Sequence, residues 1–209
     1  MRISLAAAAA LWLVAAPATA RPVSWPGGWT FLQEWSPDHG SFLVHYTPNR
    51  HMSVGPRAFR MRESDLTLAG ANVTWLAKRW NMPGAQANLY LSGMAGAALP
   101  DGGPTRFGGL ADVQADWENR RLMVMGMARI LHADGLETSN MQMVRAGFAP
   151  WLADYGGLHL WLFGQVRRDS LSSNEVEPAF VARIFWRTMM VEAGVTGRGG
   201  AIANASFRF

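Results

Sequence analysis

Twelve short runs of alternating apolar and polar side chains, joined by turn-forming stretches, predict an all-β chain: a closed antiparallel up-and-down transmembrane β-barrel. Three observations carry that expectation. The alternation has the period of two that a strand imposes, because successive side chains point to opposite faces. Hydrophobic residues make up 49% of the 209-residue chain and charged ones only 16%, against about 25% charged in ordinary soluble domains. No run beyond the N-terminus approaches the ~20 consecutive apolar residues a spanning helix needs. Every backbone polar group must be paired inside lipid, so a closed barrel is the remaining way across.

Residues 1–20 read MRISLAAAAALWLVAAPATA. One Arg, an apolar run from Ile3 to Ala16 and the small-residue pattern Ala18-Thr19-Ala20 mark a secretory signal peptide cut after Ala20. The run is too short for a spanning helix. The mature chain then starts at Arg21, with residues 21–28 as a Pro/Gly-rich periplasmic or luminal lead-in and 29–209 as one barrel domain.

The expected strands are 29–35, 41–47, 51–60, 71–80, 86–98, 106–117, 121–132, 140–150, 156–167, 178–186, 188–195 and 200–209. Thr47-Pro48-Asn49-Arg50, Asn81-Met82-Pro83-Gly84, Glu118-Asn119-Arg120 and the Asp154-Tyr155-Gly156 region have tight-turn composition. Longer polar stretches separate them: 61–70, 99–105, 133–139 and 168–178. The two kinds alternate, as short periplasmic turns and longer extracellular loops do in outer-membrane barrels. An up-and-down wall needs a strand before 41–47, which Trp29–Trp35 supplies. It also needs an upward strand before the last, which Met189–Val195 supplies, with a turn near Arg187. The count is twelve, even as single-chain bacterial barrels are; ten is the fallback if 29–35 lies outside the wall.

In 106–117, Gly109, Ala111, Val113, Ala115 and Trp117 alternate with Leu110, Asp112, Gln114 and Asp116. In 121–132, Leu122, Val124, Ala128 and Ile130 alternate with Met123, Met125, Met127 and Arg129. The polar face is too sparse for a solvated exterior, so apolar side chains should face lipid and ionic ones the lumen. Aromatic residues near strand ends, Trp29, Trp35, Tyr46, Trp117, Phe148, Trp186, Phe207 and Phe209, fit interfacial girdles.

The last stretch, Gly199–Phe209, alternates Ala201, Ala203, Ala205, Phe207 and Phe209 with Ile202, Asn204, Ser206 and Arg208, and stops on an aromatic ring. With the signal peptide and the alternation upstream, it resembles the bacterial outer-membrane β-barrel class, whose final strand closes on a C-terminal Phe. The resemblance implies a Gram-negative outer-membrane location. It also implies Phe207 and Phe209 as part of the signal read by the barrel-assembly machinery, and contact with outer-membrane lipid and lipopolysaccharide.

The candidate functional residues are those expected in the lumen: Arg57, Lys78, Asp112, Asp116, Arg129, Arg145, Arg167, Arg183 and Glu192. Cross-strand pairing should place Asp112 and Asp116 near Arg129 and Arg145, and Glu192 near Arg183 or Arg208. A wet ring of Arg favours anions, which suits a narrow channel for a small solute; with every Arg neutralised, the same set suits a passive envelope protein. Met123, Met125, Met127, Met141 and Met143 share a face with His159 nearby, and thioether with imidazole suits copper(I); Met as interior filler is the plainer account. A lipid-modifying enzyme needs a nucleophile and a base in reach. His39, His45, His51, His132 and His159 are the available bases, with His132 near Ser139 the best pairing, and no Gly-x-Ser-x-Gly occurs. Cysteine is absent, no cofactor is implied, and an export signal argues against nucleic acid as the partner of a basic chain of formal charge +4.

Overall fold

A computed structural model describes residues 22–154, 156–170 and 174–209. The signal peptide expected over 1–20 lies outside them. Twelve strands follow in order: β1 (Trp29–Trp35), β2 (His39–Asn49), β3 (Met52–Met61), β4 (Leu66–Met82), β5 (Ala85–Pro100), β6 (Arg106–Asn119), β7 (Leu122–Ala133), β8 (Ser139–Phe148), β9 (Leu158–Asp169), β10 (Val176–Trp186), β11 (Met189–Thr196) and β12 (Ala201–Arg208). Each pairs antiparallel with its sequence neighbours, and β1 pairs with β12 from Thr30↔Arg208 to Trp35↔Ala203, which closes the barrel. Closure leaves no strand edge unpaired, the condition lipid sets for a spanning sheet.

One end, the turn end, carries both ends of the wall: Trp29 and Phe209 exchange backbone hydrogen bonds at 2.7 and 3.1 Å. It also carries the connections at 50–51, 83–84, 120–121 and 187–188 and the one between β8 and β9. The loop end carries 36–38, 62–65, 101–105, 134–138, 197–200 and the β9–β10 connection. One expectation about connections needs correcting. The loop expected over 61–70 is only 62–65, because Leu66-Thr67-Leu68 continue the alternation and pair with Pro100-Leu99-Ala98. Near Asp154, at the turn end, Gly157 N donates to the Asp154 carbonyl at 3.0 Å.

Outward positions are exposed and apolar. Val113, Val124, Ile130, Val144, Val166, Phe180, Ile184, Val191 and Val195 face out, and so do Trp29, Trp35, Phe148, Trp186, Phe207 and Phe209 near strand ends. Phe31 stacks on Phe209 across the closing seam. A soluble sheet would bury this face; a transmembrane barrel turns it to lipid.

The inward face is not uniformly polar. Phe59, Met61, Leu66, Leu68, Met94, Ala98, Leu110, Leu131 and Ala133 form an apolar cluster at the loop end, against β3–β7. Met123, Met125, Ala149, Trp161, Phe163, Val181, Phe185, Met190 and Ile202 form a second towards the turn end, against β7–β12. The lead-in is luminal: Val23 packs with Leu76 and Tyr90, and the Pro22 carbonyl accepts a hydrogen bond from Ser53 Oγ at 3.0 Å. Two backbones approach closely where Gly70 faces Gly96 across β4–β5. A Cβ on Gly70 would lie 2.1 Å from the Ala95 carbonyl oxygen, and one on Gly96 would lie 2.1 Å from that of Ala69. Close backbone approach of this kind is what glycine within a strand permits.

Candidate functional site

Two ionic clamps of the same composition lie in the lumen. In the first, Asp112 on β6 takes Arg129 Nε on Oδ1 at 2.5 Å and Arg57 Nη1 on Oδ2 at 3.0 Å. Arg129 is the direct cross-strand neighbour of Asp112. Arg57 stands on β3, three strands away around the wall, so this pair links strands that are not neighbours. Arg57 also donates to Ser41 Oγ at 3.2 Å. The Phe59 ring lies under both guanidiniums, 4.7 Å from Arg129 and 5.6 Å from Arg57.

In the second, Glu192 Oε1 on β11 accepts from Arg183 Nε at 2.5 Å and Arg145 Nη1 at 2.7 Å, while Oε2 accepts from Asn204 Nδ2 at 2.6 Å. Arg183 is the cross-strand neighbour of Glu192; Arg145, on β8, reaches it from three strands away. Gln165 Oε1 takes the other Arg145 donors at 2.6 and 3.0 Å. The Phe163 ring underlies Arg183 at 4.7 Å and Arg145 at 5.3 Å. Each clamp is thus two guanidiniums, one carboxylate and one ring, and each carries a net charge of about +1. The four Arg side chains and both carboxylates are buried, where an unpaired charge would be costly.

A third group stands at the loop end of the lumen. Arg167 pairs with Asp38 and, at 3.5 Å, with Glu177, and approaches Ser36 Oγ and His39 Nδ1 at 3.4 Å. At the rim outside, Arg60 bridges Asp101 and Asp65 at 2.7 and 2.8 Å, and the guanidinium holds the Asp101 carboxyl below its ordinary range, mainly through their hydrogen bond.

A cavity of about 170 Å³ runs along the β1 and β7–β12 side, past Thr30, Glu34 and Ser36 on one wall and Arg129, Arg145 and Arg183 on the other. Its length along β1 is the span from Thr30 to Ser36, roughly 20 Å at 3.3 Å per residue. Glu34 lines this cavity together with Arg129 and Arg145. It was not among the expected luminal residues.

The nine expected luminal residues do not all meet. Arg57, Asp112, Arg129, Arg145, Arg183 and Glu192 build the clamps, and Arg167 the mouth. Asp116 faces inward but accepts from Asn88 Nδ2 at 2.7 Å and Gln114 Nε2 at 3.4 Å; its cross-strand neighbour is Met125, not an Arg. Lys78 is a correction. A bulge between Leu76 and Lys78 inserts one residue into β4, which turns Lys78 outward and exposed. Arg79 takes the inward place and donates to Asn88 Oδ1 at 2.8 Å.

Met123, Met125, Met127, Met141 and Met143, with Met190, line the cavity wall. Met123 Sδ lies 3.6 Å from the cationic Arg183 Nη1, a poor neighbour for a metal cation. His159 faces inward opposite Phe185 and is not part of the cavity lining. Among the described residues no three His, Cys, Asp or Glu side chains converge as a metal site. His132 is exposed and bonded to Thr138 Oγ1 at 2.9 Å, whereas Ser139 is buried on the inner face, so the base and hydroxyl expected to pair lie on opposite sides of the wall.

No protein-family model matches the chain, and no curated protein matches it. Among solved structures the chain is similar in fold to one described as "KdgM porin in complex with disordered oligogalacturonate". The TM-score is 0.52 at 9% identity, covering 87% of this chain and 98% of that one. The similarity is of fold: a porin-like closed barrel.

Proposed function

We propose that the chain is an outer-membrane barrel that passes small solutes through a narrow lumen and favours anions over cations. One observation carries the reading: each buried clamp carboxylate serves two guanidiniums, which leaves positive charge in excess beside the cavity. Rings of Arg select anions in this way, and low-dielectric walls strengthen the field. A porin of similar fold is described in complex with an oligogalacturonate, which agrees with a solute-handling lumen. On this reading the chain is exported by the signal peptide of residues 1–20, and Phe207 and Phe209 guide its assembly into the Gram-negative outer membrane. Its apolar exterior meets lipid and lipopolysaccharide.

A second reading, a sealed envelope protein, is favoured by the apolar cluster of Phe59, Leu66, Leu68 and their neighbours at the loop end. Reconstitution in planar bilayers under a KCl gradient separates the two. A small conductance with a chloride-directed reversal potential supports the channel. A cation-directed potential refutes the anion preference, and a silent bilayer leaves the sealed wall.

A further inference from the structure

Among the described residues, one carboxylate of the cavity lining engages no other side chain by hydrogen bond or ion pair. Asp112 and Glu192 each hold two guanidiniums, and Asp116 takes two amides. Glu34, half-buried on the inner face of β1, lines the cavity without such a partner. Arg129 gives its Nε to Asp112, and its Nη1 and Nη2 donate to no group among the described residues. Arg129 is 6% exposed and lines the same cavity. Buried donors and acceptors are ordinarily satisfied, and an exception calls for a partner such as water, an ion or a ligand. Here a negative acceptor and a positive donor both face one cavity, and no hydrogen bond or ion pair joins them.

Strand register sets the scale of the gap between them. Glu34 is the cross-strand partner of Ser41, and Ser41 of Phe59. Two inter-strand steps of ~4.8 Å place Glu34 about 10 Å along the wall from Phe59, and the Arg129 guanidinium lies over the Phe59 ring at 4.7 Å. Charge-assisted hydrogen bonds of about 2.8 Å at each end leave roughly 4 Å for whatever bridges them. That is the reach of a molecule whose opposite charges stand a few bonds apart. Charge disfavours simpler occupants. A plain anion that meets Arg129 brings like charge to Glu34, and a plain cation that meets Glu34 faces Arg129, Arg145 and Arg183. Sites discriminate by such repulsion as well as by attraction. A further part of the lining is apolar: Met123, Met125, Met141 and Met143 line the cavity, and flexible thioethers fit varied apolar shapes. The volume, about 170 Å³, suits one small molecule, since an apolar cavity of about 150 Å³ holds benzene.

We propose that Glu34, Arg129 and the methionine wall form a binding site for a small zwitterion with an apolar body, of the class of a free apolar amino acid. The ammonium donates to the Glu34 carboxylate, the carboxylate accepts from Arg129 Nη1 and Nη2, and the apolar part lies against the thioethers. Such a solute carries no net charge, so the site is compatible with an anion preference among simple ions. The site names a solute class for the passage proposed above and rests on that reading, because the lumen is its route of entry.

Saturation-transfer NMR titration of the purified barrel in detergent tests it with three probes of one shape: free leucine, 4-methylpentanoate, which lacks the ammonium, and isopentylamine, which lacks the carboxylate. Leucine should bind saturably and more tightly than either by roughly tenfold or more, the scale of one lost hydrogen bond to a charged group. In Glu34→Gln, leucine should weaken to the level of 4-methylpentanoate, whose own affinity should not fall. The parent comparison of the three probes decides alone if that variant does not give the folded band on a gel. Three results overturn the site: no saturable leucine binding, a single-charge probe that binds as tightly as leucine, or a Glu34→Gln variant that leaves leucine unchanged or weakens leucine and 4-methylpentanoate alike. Selective leucine binding in a barrel that conducts no ions upholds the site while refuting the channel. Chloride-directed conduction without selective leucine binding does the opposite.

Discussion

Replacing Glu192 by Gln removes one charge and almost no volume, and the structure sets the size of the consequence. The carboxylate holds Arg183, Arg145 and Asn204 at 2.5, 2.7 and 2.6 Å, and its side chain is 3% exposed, with 7% for each Arg. Solvent therefore screens little of the loss. Gln keeps one acceptor but turns its other terminal atom into a donor that meets either an Arg or the Asn204 amide. Two guanidiniums are left without a countercharge above the Phe163 ring. Removing one partner of a buried pair costs ~3–5 kcal/mol, roughly a hundredfold to several thousandfold in the folded-to-unfolded ratio. The assay is urea unfolding of the barrel folded into lipid vesicles, followed by tryptophan fluorescence. Glu175→Gln is the control: its pair with Arg198 is exposed at 73% and 48%, and such pairs are worth about 0–1 kcal/mol. A Glu192→Gln loss no larger than the control's would refute the clamp as a structural unit.

Other expectations follow from the same geometry. Gly96→Val should prevent assembly, because its Cβ would collide with the Ala69 carbonyl oxygen; loss of the heat-modifiable folded band on a gel is the readout. Val23→Asp places a charge between Leu76 and Tyr90 and should lower stability by ~2 kcal/mol or more, read by the same urea titration, or raise conductance if the lead-in swings out. Lys78→Gln, on an exposed outward side chain, should leave stability within about 0.5 kcal/mol of the parent. The Asp101 carboxyl, held low by Arg60, should titrate below its ordinary range by carbon NMR and return to it in Arg60→Gln. A depressed carboxylate adds stability above its unfolded pKa and loses it as pH falls through the folded value, so any contribution fades only in acid.

The fold was legible because a strand's period of two writes the wall's two faces into the chain, and Arg129 beside Ile130 carries that contrast in one step. The closing Ala/Phe alternation marked the last strand for the same reason. Direct neighbours such as Asp112–Arg129 and Arg183–Glu192 follow once adjacent strands are aligned. The longer reach of Arg57 to Asp112 and of Arg145 to Glu192 depends on how the closed wall curves, and no local pattern encodes it. Lys78 was misplaced because a bulge reverses the alternation, and nothing in Leu76-Ala77-Lys78-Arg79 distinguishes a bulged run from a regular one. The loop at 62–65 was overestimated because Thr67, Ala69 and Gly70 read as turn composition although their pairing continues. The signals that were available and unused are Glu34, which alternates inward with Leu32, and Phe59 and Phe163, which share a face with the Arg residues they underlie.

The chain has no cysteine, so single labels report cleanly on which way the wall faces. A fluorophore at Ile130→Cys, outward and exposed, and one at Met127→Cys, on the cavity wall, can each be tested for quenching by brominated lipid in reconstituted vesicles. Strong quenching at 130 with little at 127 is the expected result. Equal quenching at both, or stronger quenching at 127, would contradict a lipid-facing exterior around an ionic lumen.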